Sequence, residues 1–107
     1  MPQRYLQVVM TAPHSGAEAE FNEWYHEFHI PDVQGILGNV TRTTRYRQAD
    51  VEGTLTDPRY VAIYELDTDD AVLAYKTLME GLQQTGTWTP SDSLNRSTAV
   101  LTWGTSV

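Results

Sequence analysis

The sequence predicts an α+β fold in which a four-stranded antiparallel sheet carries two helices on one face. Three observations lead to this prediction. The predicted elements follow one another in the order β-α-β-β-α-β. Residues 16–29 have the spacing of an amphipathic helix that runs into a proline. The predicted strands carry apolar residues at both alternating positions, so both faces of the sheet need cover.

The first strand and the first helix are predicted from the N-terminal third of the chain. Residues 6–10 form a nearly continuous apolar run, which is typical of a strand covered on both faces. Ser15 and Glu18 have the spacing of a capping box at a helix N-terminus. We therefore expect a helix from about residue 16 to residue 29. Pro31 predicts its end, because the residue before a proline avoids helical backbone angles.

The rest of the chain predicts two strands, a second helix and a last strand. Residues 40–47 and 60–66 have strand patterns and are separated by a polar loop. Asp67 or Thr68 could cap the second helix, whose apolar residues keep helical spacing: Val72, Tyr75, Leu78, Met79 and Leu82. Residues 98–103 predict the fourth strand. This order is that of a ferredoxin-like fold, and we expect one domain over residues 1–107.

Composition argues against several classes of function. The net charge is −7, from 7 basic and 14 acidic side chains, so a nucleic-acid partner is not expected. The chain has no cysteine, which excludes disulfides and thiolate chemistry. It shows no secretory signal and no apolar run near the roughly 18 residues of a membrane span. We therefore predict a cytoplasmic protein with no membrane partner.

The first predicted helix carries an aromatic stripe beside titratable groups. On a helical wheel its aromatic residues share one apolar arc: Phe21, Trp24, Tyr25 and Phe28. His29 falls at the edge of this arc, whereas His26 points away from it. Titratable groups that border an aromatic surface are suited to proton transfer. The same pattern also suits an ordinary helix that packs on a core.

Four segments together resemble the dimeric α/β-barrel superfamily, in particular its EthD-like branch: FNEWY (21–25), HIPD (29–32), RYR (45–47) and RYVAIYEL (59–66). The superfamily includes polyketide cyclases, muconolactone-type isomerases, dehydratases, decarboxylases and cofactor-free monooxygenases. The resemblance implies a homodimer that pairs two sheets, with a pocket between the sheet and the helices of each subunit. It implies an aromatic or polyketide-like substrate and no cofactor. One fold hosts all these reactions, so the reaction subclass stays open.

Three residues are candidates for catalysis. His29 matches the histidine of the family's helix-end motif, and we predict that it acts as general acid/base. A helix end favours its cation and burial disfavours it, so we expect titration near neutrality. It could instead cap the last carbonyls of the helix. Asp32 could orient His29 or cap the next turn. His14 precedes the first helix and is either a second base or an exposed loop residue.

Six side chains are candidates for the walls of the pocket: Trp24, Tyr25, Phe28, Arg45, Tyr64 and Trp88. The three aromatic residues of the helix could equally be core. Arg45 and Tyr64 could hold a phenol, carbonyl or carboxylate, although the strand pattern does not decide which face Arg45 occupies. Trp88 could be a lid or a dimer contact. No metal site is predicted, because His26 and His29 project apart.

Two classes of function follow from these candidates. The first is a cofactor-independent enzyme that uses histidine for proton transfer on an enolisable substrate, as a cyclase, isomerase, dehydratase or decarboxylase would. The second is a noncatalytic dimeric module that binds a hydrophobic small molecule. A cofactor-free monooxygenase is a further alternative.

Overall fold

The computed structural model describes residues 3–55, 58–85 and 94–105, and it confirms the predicted α+β ferredoxin-like fold. The elements in chain order are β1 (Gln3–Pro13), α1 (Glu18–Trp24), a π-helical turn (Tyr25–His29), α2 (Ile30–Leu37), β2 (Val40–Arg47), β3 (Tyr60–Thr68), α3 (Ala71–Thr85) and β4 (Leu94–Thr105). The strands form one antiparallel sheet in the order β2-β3-β1-β4. The two central strands are therefore β1 and β3.

The core lies between one face of the sheet and the helices. Along β3 every second side chain is buried: Tyr60, Ala62, Tyr64 and Leu66. Buried residues from all the helical segments pack on this face, among them Phe21, Tyr25, Val33 and Leu78. Arg45 pairs with Ala62 in the sheet register, so it lies on this helix-covered face. The register thus settles the face of Arg45, which the strand pattern had left open.

The first helical segment continues through Pro31, and its predicted end at that residue is wrong. The chain stays helical to Leu37, and Gly38 ends it with a positive φ of 71°. A π-helical turn, Tyr25–His29, ends two residues before the proline. Because proline lacks an amide hydrogen and crowds the preceding turn, a wider turn accommodates it without breaking the helix. The predicted capping box is also absent, since α1 begins at Glu18 without a side-chain cap.

The π-helical turn changes which side chains face the core. The buried residues Phe21, Tyr25, His29 and Val33 follow one another at intervals of four. Phe28, which the helical wheel placed in the apolar arc, is 58% exposed. A π turn inserts about one residue into the helical repeat, so it rotates the later residues by about 100°. His29 therefore occupies the buried position that was predicted for Phe28.

The predicted second helix corresponds to α3, and it differs from the prediction in its N-terminal cap and in its buried face. The Asp70 carboxylate, rather than Asp67 or Thr68, accepts a hydrogen bond of 3.0 Å from the amide of Leu73. Ala74 and Leu78 are buried, whereas Val72 is 66% exposed and Tyr75 is also exposed. The side chain of Leu82 lies outside the described residues. Helical spacing identified the helix, but the packing of α3 against α2 and the sheet chose its buried face.

The face of the sheet opposite the helices, here called the open face, is largely apolar and also carries the Arg42–Glu65 ion pair. It carries Leu6, Val8, Met10, Tyr46, Val61, Ile63 and Val100. None of these side chains is buried, and Tyr46 is 57% exposed. The sheet therefore carries apolar side chains on both faces, as predicted, and the described residues provide no cover for one of these faces.

A close helix–helix contact supports the first testable prediction. A Cβ atom at Gly81 in α3 would lie 2.5 Å from Cγ2 of Ile36 in α2. We expect Gly81→Ala to lower the free energy of unfolding by about 1 kcal/mol, because overpacking costs about 1–3 kcal/mol and better helix propensity returns up to about 1. Gly35→Ala is the matched control, since no atom lies within 4 Å of its Cβ position. The control should be stabilising in urea unfolding, and a Gly81→Ala variant as stable as this control would contradict the prediction.

Candidate active site

His29 is buried among aromatic rings on the inner side of the π-helical turn. Its side chain is 8% exposed and stacks on Trp24, with ring centroids 4.7 Å apart. The edge of Tyr25 faces it at 5.0 Å. Burial lowers the pKa of His29 to about 4; the charge of Asp32 opposes this shift and that of Arg45 adds to it. His29 is therefore neutral at pH 7 and can accept a proton.

The expected titration of His29 near neutrality is not what the structure shows. That expectation balanced burial against the charge at a helix end. Because α2 continues beyond His29 to Leu37, the imidazole does not lie at a helix terminus. Burial is then the largest influence on its pKa.

Arg45 places a guanidinium group inside the same aromatic cluster. Its Cζ atom lies 4.2 Å from the ring centroid of Tyr25, 5.2 Å from that of Tyr60 and 5.6 Å from that of Phe21. Burial lowers its pKa. Its Nε and Nη2 atoms are buried and have no hydrogen-bond partner among the residues that the structure describes. The rings stabilise the cation in part, at roughly 0.5–2 kcal/mol each, but they do not supply a negative charge.

Arg45 also has no carboxylate partner in the part of the chain that the structure describes. The three ion pairs found there join Arg4 to Asp67, Arg42 to Glu65 and Arg47 to Glu18. Arg45 instead donates from Nη1 to the Asn22 side-chain oxygen at 3.0 Å. A partly buried cation without a counterion is costly unless something else compensates its charge.

Tyr64 and Gln7 extend the polar surface beneath the helices. They face each other across β3 and β1, and both are almost fully buried. The Tyr64 hydroxyl and the Gln7 side-chain oxygen have no hydrogen-bond partner. Burial raises the pKa of Tyr64, so the phenol stays protonated and can donate a hydrogen bond. Such buried polar atoms normally bond to protein, water or a ligand.

An open groove of about 700 Å³ lies between the helical segment and β2; we call it the β2 groove. It is lined by Asn22, His26, Ile30, Gln34, Thr43, Arg45, Tyr46, Arg47 and Tyr60. Arg45 belongs both to this groove and to the aromatic cluster of His29. The groove thus connects one polar group of the buried cluster, the Arg45 guanidinium, with solvent.

A hydrogen-bonded network surrounds the end of the groove near α1. Glu18 accepts hydrogen bonds from Tyr60 and from Arg47, the latter at 3.0 Å. The hydrogen bond from Tyr60, together with that from Arg47, lowers the pKa of Glu18. The Asn22 amide donates to the Tyr60 hydroxyl at 3.4 Å. The charge of Arg47 is therefore neutralised by Glu18, and that of Arg45 is not.

The structure brings together five of the predicted site residues: Trp24, Tyr25, His29, Arg45 and Tyr64. Asp32 lies within electrostatic reach of His29. His14 is exposed in the turn before α1, and the helical residues 18–29 alone span roughly 16 Å between it and His29. Phe28 is exposed and does not line the β2 groove. Trp88 lies outside the described residues.

Sequence reasoning missed three polar groove residues of the helical segment: Asn22, His26 and Gln34. His26 is exposed, as the wheel indicated, yet it contacts Arg45 at 3.4 Å. Together with Ile30, these residues follow one another at intervals of four, directly after the buried series that starts at Phe21. The interval of four residues is visible in the sequence. It identifies these residues as the lining of a groove only once β2 is known to lie beside them.

The described residues lack two features that would indicate other classes of function. No group of three His, Asp or Glu side chains there is arranged to hold a metal ion. None of the helices described is long and apolar enough to cross a membrane.

Together, the sheet, its helices and the buried histidine, arginine and tyrosine define an α+β protein of the ferredoxin-like class with an internal polar cluster. No protein-family model matches the sequence, and no curated protein matches it. Solved structures do share the fold. An ethyl tert-butyl ether D (EthD) family protein from Bacillus halodurans aligns with a TM-score of 0.64 at 11% identity, over 96% of this chain and 99% of that one.

Two further structures extend this likeness. An EthD-like protein from Ralstonia eutropha aligns with a TM-score of 0.58 at 19% identity, over 95% of this chain and 91% of its own. A dimeric ferredoxin-like protein from an uncultured marine organism aligns with a TM-score of 0.59 at 13% identity, over 99% and 94%. The predicted likeness to EthD-like proteins is thus confirmed for the fold. These identities assign no activity, and the relation to polyketide cyclases stays a prediction.

Proposed function

We propose that this protein is a cofactor-independent enzyme that transfers a proton on an enolisable aromatic or polyketide-like small molecule. The observation that carries the proposal is the juxtaposition of a neutral buried imidazole, His29, with an uncompensated guanidinium, Arg45, around the ring of Tyr25. Enolate chemistry needs a base for the proton and a positive group for the oxygen, and this cluster supplies both.

The proposed step removes a proton from carbon next to a carbonyl group. The C–H bond breaks, the proton moves to the His29 imidazole, and the electron pair moves to the carbonyl oxygen. Arg45 would stabilise that oxygen by charge, and the Tyr64 hydroxyl, which lacks a partner, would donate a hydrogen bond to it. Return of the proton to another atom gives isomerisation. In a dehydratase the enolate expels a hydroxyl group from the neighbouring carbon, which leaves as water with the proton from His29, and in a cyclase the enolate attacks a second carbonyl group. A decarboxylase would instead reach the enolate by losing carbon dioxide, with the electron pair of the broken C–C bond moving to the carbonyl oxygen, and the enolate would then take up a proton.

Charge coupling makes His29 a stronger base when the oxyanion forms. The pKa of about 4 belongs to the cluster without a bound anion, where burial and Arg45 disfavour the imidazolium. A negative oxygen next to Arg45 would offset the guanidinium charge and favour the imidazolium instead. Asp32 would stabilise the same cation, as its charge does now. His14 has no role in this proposal because α1 separates it from the cluster.

The experiment is deuterium exchange into a panel of phenolic and β-dicarbonyl compounds, followed by NMR in D₂O. We expect the protein to accelerate exchange at carbon next to the carbonyl for at least one class of compound. The heat-denatured protein is the control. Binding of several compounds without accelerated exchange or turnover of any would contradict the enzyme proposal.

A noncatalytic binding module is the second candidate function. The low pKa of His29 favours it, because a base with a pKa of about 4 is weak when no anion is bound. In that case the buried polar atoms would only hold the ligand. A monooxygenase, the further alternative, would consume dioxygen with a reduced aromatic substrate, and an oxygen electrode would detect this.

We also propose that two copies of the chain pair through their open faces. Two observations support this. The open face carries seven apolar side chains that no described part of the subunit covers. A structure of the same fold is described as dimeric. A symmetric dimer would cover the open face, and the helices already cover the other face of the sheet.

The pairing can be tested with two valines. Val61 lies on the open face, and Val72 lies exposed on α3. Val61→Lys should weaken the dimer by about 100-fold or more, because it places an unpaired charge in the interface twice. Val72→Lys makes the same change outside the interface and should leave the dimer intact. Sedimentation velocity measures both, and a monomeric wild type or a fully dimeric Val61→Lys variant would contradict the proposal.

A further inference from the structure

The β2 groove contains a cation whose charge no described side chain neutralises. Arg45 and Arg47 both line the groove, but Arg47 is paired with Glu18 at 3.0 Å. Arg45 donates to Asn22, which is a neutral group. In a chain with a net charge of −7, carboxylates are plentiful, yet none in the described ranges reaches this guanidinium. The groove therefore presents one unneutralised positive charge.

The contact between Arg45 and His26 is suited to replacement by an anion. Nη1 of Arg45 lies 3.4 Å from Nε2 of His26, which is long for a hydrogen bond between nitrogen atoms. A carboxylate beside the pair could accept from the guanidinium with one oxygen and from the imidazole with the other. Both new bonds would be charge-assisted and therefore stronger than the present contact.

The rest of the lining suits a flat organic body rather than a small inorganic ion. Ile30 and Tyr60 supply apolar and aromatic side chains along the groove. Gln34 and Thr43 bond to each other at 3.1 Å and offer further polar atoms. The groove volume of about 700 Å³ is within the range of small-molecule sites. A single positive charge matches a monoanion better than a phosphate dianion.

We propose that the β2 groove binds the carboxylate of an aromatic acid through Arg45, His26 and Asn22, and that the substrate of the enzyme carries this carboxylate. The claim that the substrate carries a carboxylate, which is the second half of this proposal, rests on the proposed function. The first half does not, because it concerns binding alone. In the enzyme the carboxylate would hold the substrate beside Arg45, whose guanidinium extends from the groove to the cluster around His29.

The first experiment compares two probes on the wild-type protein. 2-Hydroxybenzoate and 2-hydroxybenzamide have nearly the same shape, but only the first carries a charge at pH 7. We expect the carboxylate to bind at least tenfold more tightly by isothermal titration calorimetry, with NMR shifts at His26. Equal affinities, or no binding of either probe up to millimolar concentration, would overturn the proposal. Tighter binding of phenyl phosphate or inorganic phosphate would overturn the choice of a carboxylate.

The second experiment uses variants with a matched control. Arg45→Met should weaken 2-hydroxybenzoate binding at least tenfold, whereas Arg42→Met makes the same change on the same strand and should leave binding unchanged. Arg42 is exposed and paired with Glu65. If Arg45→Met does not fold, the His26→Ala variant tests the proposed site, because His26 is exposed and tolerates substitution. This variant should weaken 2-hydroxybenzoate binding about three- to tenfold. Full affinity in His26→Ala would then overturn the proposed site.

The outcomes separate this inference from the proposed function. His29→Gln should bind 2-hydroxybenzoate as the wild type does, because His29 does not line the β2 groove. Selective carboxylate binding without exchange or turnover of any compound would contradict the enzyme and support the site. Exchange of neutral dicarbonyl compounds without any preference for carboxylates would support the enzyme and contradict the site.

Discussion

Replacing His29 with glutamine is expected to slow protein-catalysed deuterium exchange by about 10²–10⁴-fold, the usual contribution of general acid/base catalysis. Glutamine keeps a polar side chain of similar length but cannot accept a proton from carbon at neutral pH. The uncatalysed background and the binding contribution of Arg45 would both remain. The loss should therefore appear in the rate at saturating substrate rather than in the substrate concentration needed for saturation.

Controls for His29→Gln must separate catalysis from folding. His29→Phe preserves an aromatic ring against Trp24, so its loss of exchange would not reflect lost packing. Glu27→Gln changes an exposed residue of the same π-helical turn and should retain the wild-type rate. Near-ultraviolet circular dichroism would verify the packing of the aromatic cluster. Exchange at the wild-type rate in a folded His29→Gln or His29→Phe variant would remove His29 from the mechanism.

Acidification from pH 6.5 to pH 4 is expected to remove about 3 kcal/mol of stability through His29 alone. The histidine pKa is about 6.5 in the unfolded chain and about 4 in the folded protein. In this window the unfolded state binds more protons, so the free energy of unfolding rises with pH and is lost as pH falls toward 4. Above about pH 7.5 both states hold a neutral imidazole, and the contribution is constant.

The matched variants for this prediction each replace one histidine of the same π-helical turn. His29→Phe should flatten the dependence between pH 6.5 and 4, whereas His26→Phe should keep it because His26 is exposed. Glu18, whose pKa is lowered, adds a loss at more acidic pH that both variants share. Urea unfolding at constant protein concentration measures these differences. An equal slope in the two variants would mean that His29 titrates normally in the folded protein.

Much of the fold could be predicted because its signals are local. β2 has the predicted bounds, Val40–Arg47, and β3 was predicted over residues 60–66 and extends to Thr68. The first helical segment was predicted in type but not in length. Its prediction relied on the behaviour of residues before proline, which holds for an isolated chain and not for a helix supported by a sheet. The π-helical turn is stabilised by packing that no local pattern contains.

The candidate site was predicted unevenly for the same reason. His29, Tyr25, Arg45 and Tyr64 were identified as residues, and the structure places them together. Phe28 was misplaced because the wheel assumed a regular α-helical repeat. His26 was set aside as a surface residue, although an exposed side chain can still line a groove. The proximity of His26 to Arg45 depends on where β2 lies beside the helices.

By itself, the sequence determined the order of the elements, the antiparallel sheet and the aromatic character of the first helical segment, because these follow from spacing between neighbouring residues. Only the tertiary structure decided that His29 is buried, that Arg45 faces the helices, and that the described residues place neither a carboxylate on Arg45 nor any cover on one sheet face. These properties depend on contacts between residues far apart in the chain. Desolvation and charge pairing act through space, so their effect on a histidine or an arginine becomes known only when the neighbours are in place.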